Sequence, residues 1–467
     1  MTAEAQLRET GGAPSASAVT MEWSEPWFWA LCGVAAALLL TMGMLGMLSG
    51  EIAPDTASYF ITETSSNPWG EMRHPLYARL ATWLGGSATS PGYVALAQGL
   101  LHAAATLVFY LGVRAADVGR VAAFVLAIVA LFSQSSLYHL RLVLPEAPAI
   151  AFLLIAFAGT LAASHPGNRF SLLLLSTAIA AGIAYLLRPT VLPAIVALPL
   201  LWWLFAARNG HTRRPIRAVL LALVLATPFL LQSAFRQARV DDFNIVSFGG
   251  FQMSGMAGFM LAPEVIDQMS EPARSTARAV LAAREAGEEA GRVARTPLNS
   301  VGDRSFVSAA LGYFDIYARS HDDFLYIQIM GLRGPDETWV AFNKRLMGFS
   351  IATIAAMPLR WIAWVAGATS RLVGRMIITN ATMLVALAVL FVVSMPALVR
   401  RTQLGSTRTD LMPVCAIALA WFASTAPLIV LITFPATRYI DTAALLIAAP
   451  PLLLAVALAE GLRTAGR

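Results

Sequence analysis

One short stretch of this chain gathers side chains able to do chemistry beside a membrane. Residues 51–84 begin EIAPDTASYF, pass through a polar run, and end RHPLYARLATWL. Asp55 stands four residues before Tyr59 and just after the first apolar segment. A carboxylate so placed can act as a general base, taking the proton of an acceptor hydroxyl as it attacks an activated carbon. It can also hold a divalent cation, because hard cations prefer carboxylate oxygens. The bland alternative is a helix cap, since Asp-Thr-Ala-Ser after Pro54 is a good helix start.

Other candidates lie far away in sequence. Glu146 follows Pro145 at the head of an apolar run, where it could simply complement a helix dipole. Arg141, Arg188 in LLRPT and Arg438 in FPATRY sit on three separate connections. Each alone could be a snorkelling interface residue. Three facing one interface suit a phosphate or diphosphate, because the planar guanidinium binds phosphate oxygens bidentately. His74, His139 and His321 occur singly, and the methionines at 253–260 fit packing better than ligation. Gly-rich phosphate loops, zinc spacings and hydrolase serine elbows do not appear.

These residues must be positioned by membrane helices. Hydrophobic residues make up 57% of the 467 and charged residues 13%, where a soluble protein would have about 25%. That balance, with apolar runs near the ~20 residues needed to cross a bilayer, makes this an all-α polytopic membrane protein. Ten spans are expected, at about 27–48, 92–113, 121–137, 146–163, 170–187, 189–207, 217–234, 377–397, 412–433 and 440–458. The chain then divides into an N-terminal tail (1–26), spans one to seven (27–234) with a loop at 49–91, a large loop (235–376), and spans eight to ten with a tail (377–467). Residues 27–48 read as a retained signal anchor. Cys32 and Cys415 both fall inside spans, so no disulfide framework is expected.

The net charge of +6 is almost all arginine, Lys344 being the single lysine. Nucleic acid is not the expected partner, because the arginines sort by span end. Alternating ten spans from a cytoplasmic N-terminus leaves thirteen positive residues inside and five in the short outer connections. The positive-inside rule favours that orientation. It brings Asp55, Arg73-His74, His139-Arg141, Glu146, Arg188 and Arg438-Tyr439 to one outer face. The spans hold few ionisable groups, His102 apart, which favours interfacial chemistry over coupled transport.

The large loop opens with FRQARVDDFNIVSFGGFQMSGMAGFM, Gly- and Met-rich and readable as a mobile flap. An Ala/Glu/Arg-rich solvated helix and an amphipathic YFDIYARSHDDFLYIQIM segment follow. The stretch NKRLMGFSIATIAAMPLRWIAWVAGATSRLVGR is expected to lie in the outer interface with Trp361 and Trp364 at headgroup depth, or to form a re-entrant hairpin.

Taken in order, these segments resemble the GT-C class of membrane glycosyltransferases. The resemblance rests on the Asp after the first span with its Arg-x-Pro-Leu-Tyr-like helix, LVLPEAPAIAFLLIAFAG, YLLRPTVLPAIVALP, FNKRLMGFSIATIAAMPLRWIAWVAG and FPATRYIDTAALLIAAP. It implies a GT-C-like fold and an inverting transfer of a sugar from a polyprenyl-phosphate donor to a hydroxyl of a glycan, lipid or protein. Asp55 would be the base. Arg188 or Arg438 would bind the donor phosphate, with Arg141 and Tyr439 as further candidates. Glu51, Glu146, Tyr59 and His74 are candidates for an acceptor or metal site. Many members of the class carry two adjacent acids in the first loop, whereas Thr56 follows Asp55; a magnesium or manganese ion therefore stays an open option. The implied location is a bacterial cytoplasmic membrane with the site facing outward. Alternatives are a lipid-carrier glycan polymerase or ligase, or a transporter or flippase for a lipid-linked glycan.

Overall fold

The computed structural model describes residues 25–166, 168, 170–211, 214–294, 317–400, 402–432 and 437–465; the side chains at 432, 437 and 438 lie outside that set. The described chain is helical without a strand, apart from an isolated bridge between Glu51 and Leu142. In order, the helices are α1 (Pro26–Met44), α2 (Thr56–Thr64), α3 (Leu76–Trp83), α4 (Val94–Ala115), α5 (Arg120–Leu131) and α6 (Gln134–Leu140). Next come α7 (Glu146–Ala162), α8 (Phe170–Leu187), α9 (Ala194–Arg208), α10 (Arg214–Val240), α11 (Gly249–Met260) and α12 (Ala273–Glu289). The last six are α13 (Trp339–Ala356), α14 (Pro358–Ile378), α15 (Ala381–Val399), α16 (Leu411–Ile432), α17 (Thr437–Ala443) and α18 (Ala449–Ala465).

Among the described residues, seven segments are long and apolar enough to cross a bilayer, or up to nine if each of two bent pairs counts as one. Several expected spans differ in detail, each for a local reason. The 121–137 run is two helices bent by 42°, because Ser133 accepts the backbone N–H of Ser136 and starts α6 afresh. The 377–397 run begins later, at Ala381, where Asn380 caps α15 through the Met383 N–H. The 440–458 run splits into α17 and α18, since Pro450 and Pro451 lack the N–H needed to continue a helix and suit its first turn.

Helix ends sort into two groups, as alternating crossings require. At one end Glu25 pairs with Arg114 and Arg120, Asp410 accepts the Gly119 N–H, and Glu460 accepts the Thr407 N–H. At the other, Glu51 pairs with Arg141, Arg188 with Glu146, and Gln134 with Asp441. Between them lies an Ala-rich bundle core around Phe109, Phe157, Trp202 and Trp421. Small residues let its backbones approach: a Cβ on Gly112 would overlap the Ala158 backbone of α7.

The large loop has its own core of Phe251, Phe259, Tyr317, Phe324, Trp339 and Trp364. Here the flap expectation fails. The helix α11 is buried from Gly250 to Met260 apart from half-buried Met253. Its glycines serve close packing, Gly250 against Asn343 and Met347, and Gly258 against Val280 and Phe324. Nor is α12 wholly solvated. Arg284 is fully buried and donates to the carbonyls of Gly258, Phe259 and Leu261, which close the end of α11. Helices α13 and α14 meet at 103°, with Pro358 opening the second. Trp364, expected at headgroup depth, is 1% exposed with its ring centroid 4.9 Å from that of Tyr317, so it is enclosed by protein instead. A third, smaller core of Tyr59, Phe60, Tyr77, Ala78 and Leu144 holds the first loop. The three cores meet at the Asp55 end of the bundle.

Candidate functional site

Two backbone hydrogen bonds tie the Asp55 loop to the α6–α7 connection: Glu51 N–H to Arg141 O at 2.7 Å and Val143 N–H to Glu51 O at 3.0 Å. Thr56 locks the next turn, accepting from Ala53 N–H at 2.9 Å and donating to Val143 O at 3.0 Å. Asp55 stands at the start of α2, yet its side chain makes no capping hydrogen bond. The bland reading of Asp55 as a cap therefore fails. Its carboxylate faces a cavity of about 760 Å³ and lies 3.9 Å from the Arg73 guanidinium.

Arg188 owes its position to Pro189. The residue before proline is driven out of helical conformation, and Arg188 is extended, with φ −148° and ψ 107°. This break at the end of α8 turns the side chain inward, where it is 6% exposed. Its Nη2 lies 2.8 Å from Glu146, itself 3% exposed, and its Nη1 donates to the Tyr59 hydroxyl at 3.1 Å. The Tyr439 ring centroid lies 5.6 Å away. Glu146 thus does more than complement a helix dipole; it neutralises a buried guanidinium.

Arg73 lies over the ring of the same tyrosine. Its guanidinium sits 5.0 Å from the Tyr59 ring centroid and 4.7 Å from that of Phe248. Tyr59 therefore contacts two cations, one over its ring and one at its hydroxyl. Burial holds its phenol above the ordinary range, against the pull of Arg73 and Arg188, and keeps it a neutral hydrogen-bonding group.

Arg73, His74 and Arg188 line a second, largely apolar cavity of about 250 Å³, walled by Phe229 of α10 and Leu428 and Ile429 of α16. His74 accepts the Leu76 N–H at Nδ1, 3.2 Å away, which assigns the proton to Nε2. Burial, with Arg236 and Arg79 nearby, depresses its pKa to about 4, so the ring is neutral at ordinary pH. The two cavities share Gln252 and Tyr439 as walls. One is apolar with guanidinium groups; the other, still apolar over most of its wall, is richer in polar side chains and carries Asp55, His139, His321, Asp322 and Asp441.

The expected site residues thus divide. Asp55, Tyr59, His74, Arg188 and Tyr439 come together around the two cavities. Glu146 sits behind Arg188. Arg141 and Glu51 pair with each other at 3.5 Å, half-buried and exposed respectively, and neither lines either of these two cavities. The side chain of Arg438 lies outside the described residues. Arg73 was legible as part of the Arg-His-Pro-Leu-Tyr opening and as one of the outer-face charges, with no site role attached to it. Asp322 and Gln252 carried no local signal, because only the folding of the large loop brings them to Asp55.

Among the described residues, no three His, Cys, Asp or Glu side chains are grouped closely enough to hold a metal ion. No metal ligand set is therefore assigned. Compared with protein-family models, with curated proteins and with solved structures, the chain matches none.

Proposed function

We propose that this chain is a membrane glycosyltransferase that moves a sugar from a polyprenyl-phosphate donor to a hydroxyl acceptor. The observation that carries this reading is the pair of adjoining cavities: an apolar one lined by Arg73 and Arg188, and one into whose wall Asp55, Asp322 and Asp441 are set. A lipid-linked sugar phosphate has the same three-part order, with an apolar tail, an anion and a polyol. The guanidinium groups would receive the phosphate, the apolar wall the first isoprenyl units, and the carboxylate-bearing chamber the sugar and acceptor.

In the transfer, the acceptor oxygen attacks the anomeric carbon as Asp55 takes its proton. The carbon–oxygen bond to phosphate breaks, and the leaving polyprenyl phosphate carries the electron pair away. Arg73 and Arg188 would stabilise the charge that develops on its oxygens. A single displacement of this kind inverts the anomeric centre.

The topology that fits is ten crossings. The seven long segments are joined by the bent α5–α6 pair and the shorter α7 and α18, while the α13–α14 pair turns back on one side. This even count, read with the arginine asymmetry, faces both cavities outward.

The deciding assay incubates purified wild type and Asp55→Asn with a panel of polyprenyl-phosphate sugars and measures released polyprenyl phosphate. Release by wild type, reduced about 10²–10⁴-fold in Asp55→Asn, is expected for loss of a general base. Near-normal turnover by a folded Asp55→Asn protein would remove Asp55 from that role.

A further inference from the structure

Asp441 follows Tyr439 by two residues on α17 and lines the Asp55 chamber. It is 5% exposed. Its Oδ2 accepts from Gln134 Nε2 at 3.3 Å, whereas Oδ1 has no hydrogen-bond partner among the described residues. Gln134 is held in turn, because its Oε1 accepts the Ala381 N–H at the head of α15, 2.7 Å away. The neighbouring Thr442 is also fixed: its hydroxyl lies 3.3 Å from that of Ser135, and its carbonyl accepts from Trp421 Nε1 at 2.8 Å. Helices α6, α15 and α16 thus pin a carboxylate against the chamber with one oxygen unused.

A buried carboxylate oxygen without a donor is costly, and in proteins such groups are nearly always satisfied. The chamber supplies no such donor among the described residues, so the donor would come with what enters it. At about 760 Å³ the chamber falls within the range of small-ligand sites, roughly 300–1,000 Å³. Asp55 and Asp322 share its wall. A hydroxyl can donate to such carboxylates; a second carboxylate would be repelled by them.

We propose that Asp441, positioned by Gln134, reads a hydroxyl of the saccharide held in this chamber, and that the chamber takes neutral sugars and rejects anionic ones. The proposal rests on the glycosyl-transfer reading and names the sugar class of that site. The hydroxyl belongs either to the transferred sugar or to a saccharide acceptor.

The test uses the full chain in lipid nanodiscs, with saturation-transfer NMR against neutral methyl hexosides and methyl glucuronide. Wild type is expected to bind neutral glycosides and not the glucuronide. Asp441→Asn should weaken the neutral ligands about ten- to hundredfold, the range for a hydrogen bond to a charged acceptor. Gln134→Leu should weaken them in the same direction. Thermal unfolding identifies folded variants, and if Asp441→Asn does not fold, Asp441→Glu keeps the charge while displacing it and should weaken the same ligands.

Undiminished binding by a folded Asp441 variant, no binding by wild type, or equal binding of the glucuronide would each overturn the proposal. In turnover assays Asp441→Asn should raise one KM and spare kcat. A raised donor KM places the hydroxyl on the transferred sugar, and a raised acceptor KM places it on the acceptor. A fall in kcat with both KM values unchanged would overturn the hydroxyl-reading role. If wild type turns over no donor, glycosyl transfer falls while Asp441-dependent glycoside binding still decides this inference separately.

Discussion

Arg188 and Glu146 illustrate how buried charge is managed at this site. Each is nearly inaccessible, and each satisfies the other at 2.8 Å. Removing one partner leaves an uncompensated buried charge, which typically costs about 3–5 kcal/mol. Glu146→Ala and Arg188→Ala should each lose about that much in denaturant unfolding. The double replacement Glu146→Leu/Arg188→Met should recover most of it while losing donor binding. Recovery of stability together with intact donor affinity would remove Arg188 from the phosphate role. His74 gives a pH signature. Its folded pKa is depressed to about 4 from 6.5, so between those values the unfolded chain binds more protons. Its contribution to stability is fully present above pH 6.5 and is lost as pH falls towards 4. Thermal unfolding across pH 4–7 should show a steeper acid loss in wild type than in His74→Gln; identical slopes would contradict the assignment.

Among the elements, the breaks matter more than the helices. Pro189 ends α8 so that Arg188 turns inward, Ser133 restarts the chain so that Gln134 reaches Asp441, and Pro358 turns α14 across α13. Each break places a polar or packing residue that a continuous helix would have aimed elsewhere. The close contact of α4 and α7 is the complementary case. Gly112→Ala should gain about 1 kcal/mol of helix propensity. The added Cβ meets backbone at Ala158, which no rotamer change relieves, so the overpacking cost of roughly 1–3 kcal/mol or more wins. A lowered unfolding temperature is the expected outcome; an unchanged or raised one would show that the two helices can separate freely.

At the scale of the whole molecule, the site lies where three hydrophobic cores meet, those of the bundle, the first loop and the large loop. The helix ends sort cleanly, and the proposed orientation makes that sorting testable. In a background lacking Cys32 and Cys415, Thr89→Cys should react with an impermeant thiol reagent on intact cells. Arg208→Cys should react only after permeabilisation, since the two positions lie at exposed opposite ends. The reverse pattern would put both cavities on the cytoplasmic side.

The sequence by itself determined the class of molecule, because span length and apolar content are local properties that a bilayer reads directly. It also made Asp55, Tyr59, Arg188 and Tyr439 legible, since each sits beside a proline, a span end or another polar residue that marks it. Tertiary structure alone decided that Arg141 turns to Glu51 and away from the cavities, that the glycines of α11 pack instead of moving, and that Gln134, Asp322 and Asp441 join Asp55. Those outcomes depend on contacts between segments from about twenty to about three hundred residues apart, where no local period or spacing carries the information. They are settled only when buried charges and close-packed backbones must all be satisfied at once.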